Sequence, residues 1–276
     1  MKKIIRSYCG LCHPRCGTLL HIENGQVVKV TGDPDHPITR GGICERGRLM
    51  PDHIYHPQRL NYPLKRIGER GQGRWRRVTW DQALDEVAGK LSSLKDKYGA
   101  ETLTFTHGTK RTYHWDCRRF FNLFGSPNTC GVNNICFCPT YATEYATYGG
   151  VSFGEISDTR CIVLWGCNAS KSSPIGLYPQ LVKARKNGAK LIVIDPRRIK
   201  EAEMADLWLQ IRPGTDLALM LGWIRLIIAN DWYDHEFVSR WTVGFEELKT
   251  AVETYTPEKV SEITSVPADL IIESVK

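Results

Sequence analysis

Three cysteines, Cys9, Cys12 and Cys16, fall within the run YCGLCHPRC, and a fourth, Cys44, follows in GGICERG after an interval of twenty-seven residues. Thiolates are soft ligands, and a compact triplet closed by one distant cysteine offers one ligand to each iron of a cubane. The spacing therefore predicts a [4Fe-4S] cluster. A structural zinc site would use the same four sulfurs, but zinc sites usually pair two CxxC-like knuckles, and the second half here offers Cys44 alone. Disulfides fit less well still. The opening MKKIIRSYCG carries no apolar core long enough for a secretory signal, which predicts a cytoplasmic protein exposed to reducing thiol pools. His13, inside the loop, is a candidate ligand or catalytic group, against the simpler reading that it hydrogen-bonds or lines the pocket.

The elements that must hold this loop are short. Residues 18–22 (TLLHI) and 26–30 (QVVKV) alternate on either side of Asn24-Gly25, which predicts a tight hairpin. From Thr79 the pattern changes to helix. Thr79 and Gln82 are spaced as a capping box, Leu84, Val87, Ala88, Leu91 and Leu94 recur at helical spacing, and Gly99 closes the element. A strand at 102–106 and a helix at about 113–124 follow, and then two buried runs at 161–165 (CIVLW) and 191–194 (LIVI) flank a helix at about 176–187. Strand, helix, strand in that order is the unit of a parallel sheet. The fold expected is α/β: a small β-rich iron–sulfur domain over residues 1–58, then a doubly wound parallel-sheet dinucleotide-binding region over 59–276. Pro267 opens a last helix in which the sequence stops, which suggests a polypeptide cut short.

Composition narrows the function classes. With 276 residues and 42% hydrophobic content the chain can bury a sizeable core. Its longest apolar run, LALMLGWIRLIIA at 217–229, contains Arg225 and reads as a buried amphipathic helix, so no membrane span is expected. The 37 basic residues against 30 acidic ones lie in scattered pairs with no nucleic-acid-binding motif beside them. A phosphate-bearing cofactor accounts for them equally well, and nucleic acid is not expected as a partner. Of the ten cysteines, Cys117, Cys130, Cys161 and Cys167 read as small buried hydrophobes.

In doubly wound sheets ligands meet the carboxyl ends of strands, and three such ends carry polar loops. WGCNASKSSP supplies Gly166, Asn168 and Ser170; IDPRR supplies Asp195, Arg197 and Arg198; IRPGTD supplies Gly214, Thr215 and Asp216. Each alone is a common turn or cap, and Thr215 in particular has the position of a helix N-cap. There is no GxGxxG and no GxxxxGK, which disfavours an ordinary NAD or ATP site.

CxxCxxxC with CERG, RLNYPLKRIGERGQGRWRRVTWDQAL, FGSPN, WGCN, VIDPRR and EMADLWLQIRPGTD together resemble the molybdopterin oxidoreductases of the dimethyl sulfoxide reductase type. The likeness runs the length of the chain and looks nearest to the acetylene hydratase and thiosulfate or polysulfide reductase-like branches. It implies a [4Fe-4S] cluster on Cys9, Cys12, Cys16 and Cys44, and a bis-molybdopterin guanine dinucleotide carrying molybdenum or tungsten on the three strand-end loops. Arg46 stands where the family has a Lys or Arg between cluster and pterin. Cys136, a few residues past SPN, has the position of the metal ligand, with Cys138 as the alternative and two buried structural thiols as the plain reading. The implied activity is an electron exchange between a small oxo- or sulfur-containing substrate and the cluster. A non-redox hydratase, or an electron-transfer module with the cluster alone, are the other readings, although the aspartate that follows the second cluster cysteine in the hydratase is replaced here by His13. Full members are more than twice as long. The resemblance thus makes 59–276 a partial cofactor domain and implies a missing C-terminal portion or separate subunit, together with an iron–sulfur electron-transfer partner.

Overall fold

The structure, a computed structural model, describes residues 1–12, 15–108, 114–152, 154–156 and 158–276, without the side chains of 114 and 133. The chain forms two compact units, Met1–Phe153 and Gly154–Lys276.

The first unit opens with an antiparallel sheet of β1 (Lys2–Tyr8), β2 (Gly17–Glu23) and β3 (Gln26–Gly32) in sequence order. Asn24 and Gly25 both take positive φ, 50° and 83°, the two-residue turn whose twist matches that of the flanking strands. The cysteine run is the connection from β1 to β2. After α1 (Glu45–Arg48) and α2 (Met50–Ile54), β4 (Leu64–Arg66) and β5 (Trp75–Arg77) form a second antiparallel pair. Next comes α3 (Trp80–Tyr98), whose capping box is complete: Gln82 N–H donates to Thr79 Oγ1 at 3.2 Å, and Thr79 N–H donates to Gln82 Oε1 at 3.1 Å. The strand expected at 102–106 begins later. Ala100–Thr102 forms a 3-10 turn in which Thr102 Oγ1 donates to Gly99 O, and only Phe105–His107 remains as β6. A helix α4 (His114–Phe124) leads to β7 (Thr129–Gly131), which pairs in parallel with β6, and α5 (Phe137–Tyr148) follows.

The second unit holds a parallel sheet of β8 (Cys161–Trp165), β9 (Lys190–Ile194) and β10 (Leu207–Leu209), in the order β10-β9-β8. Between the strands lie α6 (Ala169–Ser172), α7 (Leu177–Lys186) and α8 (Lys200–Glu203), and beyond them α9 (Asp216–Ala229), α10 (His235–Trp241), α11 (Phe245–Val252), α12 (Pro257–Thr264) and α13 (Ala268–Glu273). Successive side chains of a strand face opposite ways, and β9 uses both faces. Leu191 and Val193 join Ile162, Leu164, Leu181 and Ala184 in one core, whereas Ile192 and Ile194 join Leu209, Leu219, Val260 and Ile271 in the other. Helices cover β9 on both sides, which is the doubly wound arrangement.

The structure corrects the burial expected of four cysteines. Cys130 and Cys161 are exposed and Cys117 and Cys167 only half-buried; on β8 the alternation turns Cys161 and Val163 outward while Ile162 and Leu164 are buried. Helix α9 buries Leu219, Gly222 and Leu226 but leaves Leu217 exposed. The last helix ends at Glu273, where Ser274 Oγ donates to Ile271 O. Among the described residues no helix is long and apolar enough to cross a membrane.

One carboxylate stitches the start of β9 to the start of β10. Asp206 Oδ2 accepts from Leu191 N–H at 2.7 Å and from Arg185 Nη1 at 2.5 Å, with Lys190 Nζ 3.8 Å from Oδ1. The Leu191 N–H bond is the largest influence on its pKa and, with Arg185 and Lys190, outweighs partial burial to hold the carboxyl below the ordinary range. A folded pKa below the unfolded one means that this contribution is complete above pH about 4 and is lost as the pH falls through the lower folded value. Asp206→Ala is expected to cost roughly 1–3 kcal/mol in urea unfolding at pH 7, and the difference from wild type should shrink in acid. A difference that is unchanged at low pH would refute the assignment.

Candidate metal centre and cofactor-binding loops

The cysteine loop leaves β1 and returns to β2 through a closing bond, Cys9 N–H to Cys16 O at 2.8 Å. Cys44 precedes α1, and its carbonyl accepts from Gly47 and Arg48 N–H at 3.1 and 3.2 Å. A Cβ on Gly47 would lie 2.7 Å from the buried Ile43 side chain, closer than such contacts allow, so glycine lets the turn pack against Ile43 beside Cys9 Sγ. Cys9 and Cys16 are buried and Cys12 and Cys44 half-buried, all as free thiols.

Electrostatics binds the four into one group. Burial first, then the charges of its three companions, raises the Cys16 thiol, although its own backbone N–H opposes the shift. Cys12 is raised by burial and by Cys9 and Cys44, against the lowering charge of Arg46. Burial also raises Cys44, but the Gly47 N–H, the Arg46 side chain and N–H, and the Arg46 charge together exceed it, so that Cys44 ends below its ordinary value. Among the described residues no three His, Cys, Asp or Glu side chains are drawn close enough to grip a single ion. A cubane asks for a wider ring, one thiolate per iron, and this donor set fits it. His13 lies outside the described residues.

Cys136 is the residue before α5 and its carbonyl accepts from Thr140 Oγ1 at 3.2 Å, while Cys138 sits in the first turn. Both are exposed, so the reading as two buried structural thiols falls. In the same unit a small cleft of about 210 Å³ opens at the carboxyl ends of β6 and β7, lined by polar groups of His107, Arg118, Thr129, Cys130 and Asn134.

In the second unit the three strand-end loops are braced against one another. Gly166, with φ +57°, donates its N–H to Ile194 O at 2.8 Å. Trp165 Nε1 donates to Asp216 Oδ1 at 2.7 Å, joining the end of β8 to the first residue of α9. Trp208 Nε1 donates to Asp195 O at 2.9 Å, and Gln210 Nε2 to Pro196 O at 3.1 Å. Asp195 is buried and accepts Arg197 N–H at Oδ1, 2.8 Å, with the Arg197 Nε 3.6 Å away. The Arg198 guanidinium lies 6.0 Å above the Trp208 ring. Thr215 does not cap α9 with its side chain; Oγ1 instead donates to Arg212 O at 2.6 Å, beside Gly214 at φ +84°. Nor is Ser170 simply a free polar contact, because its hydroxyl donates to Asn168 Oδ1 at 3.1 Å and its N–H to Glu201 Oε1 at 2.5 Å. Beside these loops a cleft of about 580 Å³ lies between Pro196, Trp208, Gln210, Arg212 and Ser265. Polar loops, two outward arginines and an indole-lined cleft at the carboxyl ends of parallel strands are a donor set fit for a nucleotide-bearing cofactor.

Sequence reasoning missed Glu201, Trp165 and Trp208. Glu201 sits in IKEAEMAD, where nothing in the local pattern separates it from its solvent-facing neighbours.

A family model described as molybdopterin oxidoreductase Fe4S4 domain matches residues 2–56, and one described as molybdopterin oxidoreductase matches residues 59–265. Among similar proteins, acetylene hydratase of Syntrophotalea acetylenica is 41% identical over 265 residues, covering 94% of this chain and 36% of its own length. The molybdopterin-containing subunit of thiosulfate reductase from Salmonella typhimurium is 34% identical over 96% of this chain and 35% of its own. Formate dehydrogenase H of Escherichia coli is 32% identical over 100% of this chain and 40% of its own. The solved structure of acetylene hydratase from Pelobacter acetylenicus superposes with a TM-score of 0.78 at 40% identity, over 98% of this chain and 38% of that one. The chain thus spans about two-fifths of the length of the relatives it matches.

A lowered pKa means a larger thiolate fraction at neutral pH, and thiolate is the reactive form. In the reduced, metal-free chain Cys44 is expected to react with iodoacetamide before Cys12 and Cys16, and Arg46→Ala to slow Cys44 most. Peptide mass mapping of timed quenches reads this directly; simultaneous labelling of the three would contradict it.

Proposed function

The chain belongs to the molybdopterin oxidoreductases, with their Fe4S4 domain at its N-terminal end, and from that premise we propose that it is the cluster-bearing part of an enzyme exchanging electrons between a small oxo- or sulfur-containing substrate and a [4Fe-4S] centre. The observation that carries this reading is the set of four thiols within electrostatic reach of one another, in which burial and then their companions raise Cys12 and Cys16 while the α1 turn lowers Cys44. Functionally the chain divides at 58/59, into a cluster domain and part of a cofactor domain; the matched spans 2–56 and 59–265 support that boundary.

Cys9, Cys12, Cys16 and Cys44 hold the cluster in this reading. Arg46, whose side chain hydrogen-bonds Cys44, places a positive charge beside the sulfur and lies on the route by which electrons leave. A bis-molybdopterin guanine dinucleotide supplies two-electron oxo or sulfur chemistry at molybdenum or tungsten when bound. For it the chain offers Gly166, Asn168 and Ser170 after β8, Asp195, Arg197 and Arg198 after β9, and Gly214, Thr215 and Asp216 after β10. Arg197 and Arg198 are the groups able to meet phosphate, while the carboxylates of Asp195 and Asp216 suit ribose hydroxyls and base N–H donors. Cys136, exposed at the start of α5, supplies the thiolate for the metal, in preference to Cys138. Retention of reduced thiols suits a cytoplasmic setting. The remaining polypeptide, on this chain's own continuation or on a second subunit, completes the site, and an iron–sulfur protein exchanges electrons with the cluster.

The likeness to acetylene hydratase supports a second reading, in which the same cofactor acts as a Lewis acid without net electron transfer. Turnover in the absence of any electron acceptor or donor separates the two.

Anaerobic purification of the complete enzyme is expected to yield iron together with molybdenum or tungsten and a releasable fluorescent pterin. Cys136→Ser should strip activity and perturb the metal while leaving iron in place, Cys138→Ser should leave both intact, and Cys16→Ser should abolish the cluster absorption. A colourless, metal-free wild-type preparation would overturn the reading.

A further inference from the structure

Glu201 is fully buried, with no exposed surface, on the four-residue helix α8. Burying a carboxylate is costly unless its oxygens are satisfied, yet Glu201 has no ion-pair partner among the described residues. One oxygen, Oε1, takes the Ser170 N–H at 2.5 Å; the other, Oε2, is buried without any hydrogen-bond partner. The bond it does make is placed where it matters. Ser170 lies in the first turn after the β8 strand end, its hydroxyl donates to Asn168 Oδ1 at 3.1 Å, and the Asn168 carbonyl accepts from Lys171 and Ser172 N–H. Glu201 thus holds the far side of a turn whose near side presents Asn168.

We propose that Glu201 is a positioning residue for the nucleotide site: its carboxylate clamps the Ser170 amide and thereby fixes the Asn168–Ser170 turn in the conformation that receives the ligand's nucleoside portion. The inference rests on the reading of the three strand-end loops as a nucleotide site. It also assigns the ends of the ligand. Because Glu201 occupies the Ser170 N–H with a negative group, that amide is closed to a phosphate; this favours Arg197 and Arg198 as the anion partners and leaves the β8 turn to the donor-bearing nucleoside portion.

The test uses GDP as the probe and the 276-residue chain, with three variants: Glu201→Gln, which keeps the volume and one acceptor oxygen; Glu201→Leu, which keeps the volume and no acceptor; and Glu201→Ala. Calorimetric binding of GDP, melting temperature, and hydrogen exchange at the Ser170 amide are measured for each. The loss of one hydrogen bond to a charged group predicts GDP binding about tenfold weaker in Glu201→Leu and Glu201→Ala, with fast exchange at Ser170. Glu201→Gln is expected to bind within about threefold of wild type and to keep Ser170 protected. Should Glu201→Ala fail to fold, the Gln and Leu pair carries the comparison. A core-filling role alone would move the melting temperature and leave Glu201→Leu binding GDP as wild type does, which overturns the proposal while the nucleotide site stands. Unchanged Ser170 exchange in Glu201→Leu overturns it likewise. Wild-type chain that does not bind GDP at all overturns the nucleotide reading and this inference with it.

Discussion

Four thiols held in one loop cluster cannot all ionise without repelling one another, and the first unit is organised around that constraint. Burial and the neighbouring sulfurs raise Cys12 and Cys16, so these thiols favour the deprotonated form only when positive charge comes near them. The protein supplies part of that charge through Arg46 and part of the hydrogen bonding through the Gly47 N–H, both acting on Cys44. On the reading proposed above, irons bound one to each sulfur would supply the rest, which couples ligation to deprotonation of the thiols. The short sheet β1–β3 matters because it fixes both ends of the cysteine run, and the bond between Cys9 and Cys16 closes it.

In the second unit the corresponding constraint is the two-sided burial of β9. Its alternate residues enter two separate cores, and a one-residue slip in register would exchange them and empty both. With the register fixed, the carboxyl ends of β8, β9 and β10 must lie side by side, and the three polar loops are delivered to one edge. Asp206 fixes the opposite end of the same strands.

What the sequence made legible were features with local causes. The Asn24-Gly25 turn, the Thr79 and Gln82 box and the CIVLW and LIVI strands depend on residues near one another in the chain, and each stands where spacing placed it. The strand expected at 102–106 lost its first half because Gly99 allowed a 3-10 turn that competes for the same residues. Cys130 and Cys161 were misjudged because burial of a small thiol depends on which face of a strand is covered, and that is a tertiary property. In the site, the loops were legible as Gly, Asp and Arg at strand ends. The groups that brace them were not, because Trp165 reaches Asp216 across fifty-one positions and Ser170 reaches Glu201 across thirty-one, distances over which no periodicity operates.

Those long-range bonds decide what kind of surface the loops are. Left to themselves, three turns rich in Gly, Ser and Asn would sample many conformations, and a ligand would have to select one at an entropic cost. Here Gly166 is bonded to Ile194, Trp165 to Asp216, Ser170 to Glu201 and Trp208 to Asp195, so each loop is tied to a neighbouring strand or to the element that follows one. Movement of one loop would break a bond to its neighbour, and several of these bonds lie in part-buried surroundings where an unmet donor or acceptor costs about 1–3 kcal/mol. Most of the ordering is therefore complete before any ligand arrives. Asp195 and Asp216 stand in the same framework, each with an oxygen already engaged, so that their remaining acceptor capacity is presented in fixed directions. That combination of fixed acceptors with the outward arginines 197 and 198 gives the edge a polarity, with carboxylates at one place and cationic groups beside them.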